Sequence, residues 1–196
     1  MAMFSSRRRY QLAAWESSKI LRNLLDKLYR ILRRAAAIAR TMPNRVADQF
    51  RHAVQALPAT TEAERLVIQR IGQDLFRNAL LDYWQGRCCV TNLAVPGLLR
   101  ASHIKPWAKC VEDDERLDVF NGLLLAPHVD ALFDGGWISF SDQGCLIVSA
   151  ALPADARQQL GISPQWAIHG LKPAHIRYLQ FHRDFVLMQG ATGSMT

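Results

Sequence analysis

NGLLLAPHVDALFD, residues 121–134, places an apolar run between an asparagine and a polar cluster. The run Gly122–Leu125 has the length of a buried strand, and Pro127 suits the first turn of a helix. On that helix Asp130 and Asp134 are four residues apart and therefore project from the same face. Two carboxylates on one face are suitable ligands for a hard cation. The stretch predicts a strand followed by a short helix that carries a metal site.

RASHIKPW, residues 100–107, carries a histidine at the end of an earlier apolar run. Taken alone, His103 would be interpreted as a structural residue. Imidazole, however, has a pKa near neutral pH and can act as a general base without a large shift of that pKa. Arg100 and Lys105 flank His103, and we expect both to share its face of a strand and to contact phosphate. A histidine upstream of the paired carboxylates predicts a catalytic site.

Outside these stretches, short apolar runs alternate with turns, and SDQG at residues 141–144 predicts a hairpin turn. A helix is predicted over residues 61–83, because Thr61 and Glu64 form a capping-box signature before an apolar stripe. A final helix is predicted over residues 173–188 from its apolar pattern. Helices with small hairpins between them indicate an α+β fold.

The N-terminal third of the chain holds all of its basic excess. The formal net charge is +7, and residues 1–60 contain 12 of the 24 lysines and arginines but three of the 17 acidic residues. Such a segment favours a polyanion as partner, nucleic acid first and an anionic membrane surface second. We therefore divide the chain into a basic helical N-terminal region, residues 1–60, and a second domain, residues 61–196.

Within the basic region, a long helix is predicted to end near Thr41-Met42-Pro43, because proline disfavours helical geometry at the preceding residue. Arg30, Arg33 and Arg34 lie off its apolar seam and are candidates for DNA contact. Three interpretations stay open: packing on its own domain or on a second copy, a DNA-binding arm, and a membrane-surface helix. The seam has 3-4-3-4-3 spacing and consists of Leu21, Leu24, Leu28, Ile31, Ala35 and Ile38.

The four cysteines, Cys88, Cys89, Cys110 and Cys145, include no C-x-x-C pair, which indicates a reducing compartment with buried or free thiols. A zinc site that uses Cys88, Cys110 and a histidine is an alternative. No apolar run approaches the ~20 residues needed to span a bilayer, and no apolar segment follows the basic opening. We therefore expect a cytoplasmic protein with no membrane partner.

The stretch RCCVTN…LLRASHIKPWAKC…ERLDVFNGLLLAPHVDALFDGGWISFSDQG resembles the HNH endonuclease family. In particular it is similar to the branch found in restriction and other phage-defence nucleases. With the flanking segments RIGQDLFRNALLDYWQGRC and YLQFHRDFV, the resemblance covers residues 66–187. It implies a ββα-metal (HNH) nuclease core, in which strand, loop, strand and short helix follow one another, flanked by helices.

In that family the first histidine is the general base that activates water for attack on a phosphodiester, which implies this role for His103. The asparagine on the second strand fixes the loop and orients the base, which implies that role for Asn121. A residue on the helix binds a single metal ion, and the usual ligand positions coincide with Asp130 and Asp134. His128 is a further candidate, as a metal ligand or a catalytic phosphate contact, and Asp130 and His128 do not exclude each other.

One departure from the family pattern concerns Ser102, which stands where an aspartate, glutamate or histidine often binds the metal. Serine is a weak ligand and would leave more of the coordination to water or substrate oxygen, which Mg²⁺ tolerates. The implied cofactor is a divalent ion, Mg²⁺ or Mn²⁺ first, with Zn²⁺ or Ni²⁺ as alternatives.

The resemblance implies metal-dependent hydrolysis of DNA phosphodiester bonds, with double-stranded DNA as the favoured substrate and a role in restriction or phage defence. One metal ion suffices when the histidine replaces a second ion as the activator of water. The alternative is a catalytically inactive nucleic-acid-binding module that keeps the fold, and a zinc-stabilised interaction domain is a third interpretation. A homodimer formed through the N-terminal helix also stays open.

Overall fold

The computed structural model describes residues 3–42 and 44–189, with the side chains of the first helix described from Lys19 onward. Pro43, on which the predicted end of that helix depended, lies outside the described residues. The α-helices are α1 (Met3–Arg40), α2 (Arg45–Val54), α3 (Glu62–Tyr83), α4 (Asp113–Arg116), α5 (Pro127–Asp134), α6 (Ala154–Gln159) and α7 (Pro173–Phe185). The strands are β1 (Arg100–His103), β2 (Gly122–Leu125), β3 (Ile138–Phe140) and β4 (Leu146–Val148).

The chain divides into two units, the first comprising α1 up to Ala39 and the second the chain from Arg40 onward. The second unit thus includes residues 40–60, which the charge pattern assigned to the N-terminal region, and a functional division at residue 60 stays a prediction. In the first unit, the large apolar side chains of α1 from Lys19 onward are 45% to 64% exposed. None of the helices in the described part of the chain combines the length and apolar character needed to cross a bilayer.

The centre of the second unit is an antiparallel hairpin of β1 and β2, in which His103 lies opposite Gly122. Gly122 permits α3 to approach this hairpin, because a Cβ there would lie 2.6 Å from Phe76 and 2.7 Å from Leu80. The Asn-Gly step is therefore the start of β2, where the missing side chain makes room for a helix. With α3 in place, β2 is buried along its whole length.

Helix α5 follows β2 after one residue and packs on β1. Its apolar face consists of Val129, Leu132 and Phe133, which are at most 4% exposed. Pro127 occupies the first turn of the helix, as predicted. Strand, loop, strand and helix thus form the predicted ββα core, and the α+β fold is confirmed.

The remaining elements surround this core. β3 and β4 form a second antiparallel hairpin, whose SDQG turn is closed by a 2.9 Å hydrogen bond from the Gly144 N–H to the Ser141 carbonyl. The capping box at Thr61 and Glu64 is present at the start of α3, as predicted. The helices α2, α4 and α6 were not predicted, because they are shorter than the window in which apolar periodicity is recognised.

Candidate active site

His103 is the last residue of β1, and two aromatic side chains hold its ring. The ring stacks on Phe76 of α3 with 3.9 Å between centroids and meets Trp107 edge-on at 5.4 Å. Its Nε2 lies 2.8 Å from the backbone carbonyl of Arg116. A carbonyl only accepts hydrogen bonds, so Nε2 carries the proton and donates it. In the neutral ring, Nδ1 therefore keeps a free lone pair.

The surroundings of His103 favour the neutral imidazole. Burial lowers the pKa of His103 below its ordinary value, and the Arg116 carbonyl and the Asp134 carboxylate oppose this effect only in part. The ring is therefore neutral at pH 7, with Nδ1 able to accept a proton. A fixed orientation and a neutral ring are the properties that a general base requires.

Asn121 is fully buried and crosslinks the loop between β1 and β2. Its Oδ1 accepts a hydrogen bond from the Lys105 N–H at 2.8 Å. Its Nδ2 donates to the carbonyls of Lys105 and Glu115, each at 3.2 Å. Because Glu115 directly precedes Arg116, this network holds the peptide next to the one whose carbonyl receives the His103 N–H. The geometry supports the orienting role that the resemblance implies for Asn121.

His103 lines an open cavity of about 400 Å³ between the β1–α5 layer and helix α3. Arg100 and Asp130 line the same cavity, so the structure brings three of the predicted site residues together. Arg100 is three residues from His103, and strand alternation puts the two on opposite faces of β1, although both reach the cavity. The α3 wall, which sequence reasoning did not identify, contributes Gln69, Gln73, Asp74, Phe76 and Arg77.

The two carboxylates of α5 differ in burial, since Asp130 is half-buried and Asp134 is exposed. Burial raises the pKa of Asp130 and the neighbouring Asp134 carboxylate raises it further, against the opposing effects of Ser102 and Arg100. Two carboxylates that disfavour each other's charge are a pair that a divalent cation would stabilise. The donor chemistry of this helix face therefore fits Mg²⁺ or Mn²⁺.

Ser102 is 5% exposed on β1 and lies beside Asp130, whose pKa its hydroxyl lowers. This hydroxyl nevertheless makes no hydrogen bond of good geometry with any residue that the structure describes. An oxygen without exposed surface is poorly placed to bind an ion directly. Ser102 as a metal ligand stays a prediction.

The structure does not bring His128 into the cavity. His128 and Asp130 are two residues apart, so their side chains leave α5 about 200° apart around the helix axis. His128 is exposed, and its ring contacts Trp166 with 5.7 Å between centroids. The catalytic and ligand roles of His128 stay predictions, without support from its position.

Lys105 lies beyond the end of β1, and the expectation that it shares a strand face with His103 is wrong. The chain leaves the strand at His103, and the Lys105 ammonium turns to Glu115 at 2.6 Å. There it lines a different cavity, of about 620 Å³, together with Tyr178 and Phe181. This geometry therefore does not support a contact between Lys105 and a phosphate in the His103 cavity.

The arginines predicted to bind DNA from the N-terminal region belong to the first unit. Arg30 and Arg33 are exposed and Arg34 is partly exposed on α1. The Arg33 guanidinium lies 5.8 Å from the centroid of the Tyr29 ring. Their contact with DNA stays a prediction.

Within the described residues, no group of three or more His, Cys, Asp or Glu side chains could hold a metal ion. The four cysteines are free thiols, and Cys88 Sγ accepts backbone N–H groups of Thr91 and Ala126 at 3.3 and 3.2 Å. The zinc-stabilised alternative therefore has no ligand set in this part of the chain. An ion at α5 would take its remaining ligands from water and substrate.

Two of the contacts that hold His103 were not foreseen. The Arg116 carbonyl has no sequence signature, because every residue carries one. Phe76 belongs to the apolar stripe of a predicted helix, and nothing in that stripe distinguishes a residue that stacks on a histidine from one that fills the core. The Asn-Gly step was the feature of the sequence that could have indicated the packing of α3 near His103, since a glycine at the start of a strand indicates close approach of another element.

Comparison with protein-family models matches residues 88–141 to the HNH endonuclease family. The matched segment contains β1, β2, α5 and β3, and therefore the whole ββα core with its connecting loop. No curated protein matches the chain significantly. Together with the ββα core and the buried asparagine behind the histidine, the match shows that residues 88–141 are similar to the HNH endonuclease family.

Proposed function

We propose that the chain is a metal-dependent endonuclease that hydrolyses DNA phosphodiester bonds, with His103 as the general base. The observation that carries this proposal is that His103, with Nδ1 free, and the Asp130 carboxylate line one open cavity. Double-stranded DNA as substrate and a role in restriction or phage defence belong to the same proposal and rest on the sequence resemblance.

His103 performs the proton transfer in this mechanism. Nδ1 takes a proton from the attacking water, and the imidazolium that forms is stabilised through the hydrogen bond from Nε2 to the Arg116 carbonyl. Asn121 keeps that carbonyl in place by holding the adjacent Glu115 peptide. The orientation of the base is thus set before the substrate binds. Less conformational entropy is therefore lost when the transition state is reached.

Asp130 and Asp134 are the residues that would hold the metal ion. A divalent cation held there would offset the negative charge that develops on the leaving oxygen. Arg100 is exposed beside Asp130 and can donate hydrogen bonds to a phosphate oxygen. His103, Asp130 and Arg100 thus line the cavity in which a phosphodiester would lie.

The test is plasmid nicking in the presence of Mg²⁺ or Mn²⁺ by the wild-type chain and by His103→Ala. Loss of the general base is expected to reduce the rate by about 10²- to 10⁴-fold. Circular dichroism and DNA affinity of the variant should match the wild type, because His103 lies at the end of a strand rather than within the core.

Equal cutting by both proteins would show that His103 is not the base. If neither protein cuts with any divalent ion while both bind DNA, the chain is the inactive nucleic-acid-binding module, and the enzymatic proposal fails.

A further inference from the structure

Lys105 and Glu115 form an ion pair across the loop that connects β1 to β2. The Lys105 Nζ lies 2.6 Å from Glu115 Oε1, and the two side chains are 16% and 26% exposed. Both residues also contact Asn121, Lys105 through its N–H and carbonyl and Glu115 through its carbonyl. The ion pair and the buried asparagine therefore join the same two points of the loop, one from the surface side and one from the core.

Glu115 is held at three points. Its Oε1 accepts from Lys105, its Oε2 accepts the Val111 N–H at 3.0 Å, and its carbonyl accepts from Asn121 at 3.2 Å. The next residue, Arg116, provides the carbonyl that receives the His103 N–H at 2.8 Å. A shift of the Glu115 side chain would therefore move the peptide that orients the histidine.

The position of Lys105 separates it from the phosphate site. Its ammonium lies 5.2 Å from the centroid of the Phe181 ring on α7 and lines the 620 Å³ cavity, not the one that contains His103. Burial alone would raise the pKa of Glu115, and the Lys105 ammonium and the Val111 N–H outweigh it, so that this pKa lies below its ordinary value. If Lys105 turned to DNA, it would leave a partly buried carboxylate without its cation.

We propose that Lys105 and Glu115 are positioning residues for the reaction, acting on His103 through the Arg116 carbonyl, and that Lys105 is not a DNA contact. This inference rests on the proposed role of His103 as the base. It predicts that the pair sets the rate of the chemical step and leaves DNA binding unchanged.

The experiment compares Lys105→Met and Glu115→Gln with the double variant in single-turnover nicking and in DNA binding. Each single variant should lower kcat by about tenfold, because the base is misplaced while still present. The double variant should be no worse than either single one, because both remove the same interaction. DNA affinity and its salt dependence should stay at wild-type values, and Lys105→Arg, which keeps the charge, should retain most of kcat.

Asp114→Asn is the matched control. Asp114 lies one residue before Glu115 on α4 and pairs with Arg51 at 2.9 Å, but both side chains are 44% or more exposed. An exposed pair contributes little to the position of the loop. This variant should therefore cut like the wild type.

A second measurement does not depend on cutting. The His103 Nε2–H proton, identified by its absence in His103→Ala, should be protected from exchange with water in NMR spectra of the wild type and of Asp114→Asn. In Lys105→Met and Glu115→Gln it should broaden or disappear. If no protein cuts but this pattern is found, the proposed function fails, whereas the part of the inference that the ion pair positions the His103 ring stands.

The inference is overturned if the Nε2–H proton and kcat are unchanged in both single variants. It is also overturned if Lys105→Met alone weakens DNA binding and makes its salt slope shallower by about 0.9, as expected when a lysine that neutralises one phosphate is removed. Glu115→Gln is isosteric, so it decides the question even if Lys105→Met proves unstable.

Discussion

Asp130 and His128 are both candidates for the metal-binding residue of α5, and their positions now separate them. Asp130 lines the cavity with His103, whereas His128 lies against Trp166. The helical repeat accounts for this difference, because a two-residue step turns the side chain to nearly the opposite side. Asp134, one helical turn after Asp130, is exposed and does not line the cavity, but its charge is close enough to His103 to raise the pKa of that histidine.

The expected consequence is that Asp130→Asn lowers the affinity for Mg²⁺ or Mn²⁺ by at least about tenfold, because the charge of one ligand is removed. His128→Asn, which changes a residue on the same helix, should bind the ion like the wild type. Isothermal titration with each ion measures both affinities, and nicking at saturating metal shows whether activity follows. A loss of affinity in His128→Asn rather than Asp130→Asn would assign the ion to the other side of α5.

The residue scale also shows what a sequence can indicate. Spacing along one short helix predicted that Asp130 and Asp134 share a face, because that geometry is local. The partners of His103 were not predictable in this way. Phe76 and the Arg116 carbonyl reach it through tertiary packing, across a helix and a loop that have no fixed spacing from the histidine in sequence. The same reason explains why the position of Lys105 was predicted wrongly: Lys105 lies in the loop after β1, and the path of that loop depends on tertiary contacts.

At the scale of elements, α7 fastens the helix that bears the carboxylates. His182 on α7 is 1% exposed and stacks on Phe133 of α5 with 3.8 Å between ring centroids. Its Nε2 donates to the Phe133 carbonyl and its Nδ1 accepts from the Ser139 hydroxyl, each at 3.0 Å. One neutral imidazole thus joins α5, β3 and α7. The sequence does not indicate that this residue joins three elements, because the spacing of His182 from Phe133 and Ser139 follows from tertiary packing alone.

The burial of His182 makes the fold sensitive to acid. Burial lowers the pKa of His182, the Phe133 carbonyl opposes this effect and the Arg183 charge adds to it, and the net result is a decrease from 6.5 to about 4. The folded state therefore favours the neutral ring, and its stabilising contribution is complete above pH 6.5 and is lost as the pH falls from 6.5 towards 4. A shift of this size corresponds to a loss of about 3 kcal/mol in the free energy of unfolding.

Urea unfolding of the wild type and of His182→Gln at several pH values between 8 and 4 measures this contribution. His182→Gln should be less stable at pH 8, because the stacking on Phe133 is removed. The difference between the two proteins should shrink as the pH falls through the window, since glutamine does not titrate. Taking the difference removes the contribution of His175, whose pKa burial also lowers. A difference that stays constant with pH would show that His182 titrates normally.

At the scale of the whole molecule, the chain combines the unit that contains the HNH-like segment with a basic helix. On α1, Arg30, Arg33 and Arg34 lie off an apolar seam whose large side chains are about half exposed. The helix therefore offers two surfaces, a basic one that suits DNA phosphates and an apolar one that suits a second copy of the chain. We propose that the arginines bind DNA phosphates and that the seam binds a second copy of the chain. Different measurements test these two proposals.

Replacing Arg30, Arg33 and Arg34 together by glutamine should weaken DNA binding and leave kcat at saturating DNA unchanged, because the active site lies in the other unit. The slope of log affinity against log salt should become shallower by about 0.9 for each phosphate that these arginines neutralise. Leu24→Ser with Leu28→Ser changes the seam without changing the charge and serves as the control. It should keep the wild-type salt slope and halve the mass found by sedimentation. An unchanged slope in the arginine variant would assign DNA binding to the nuclease unit alone.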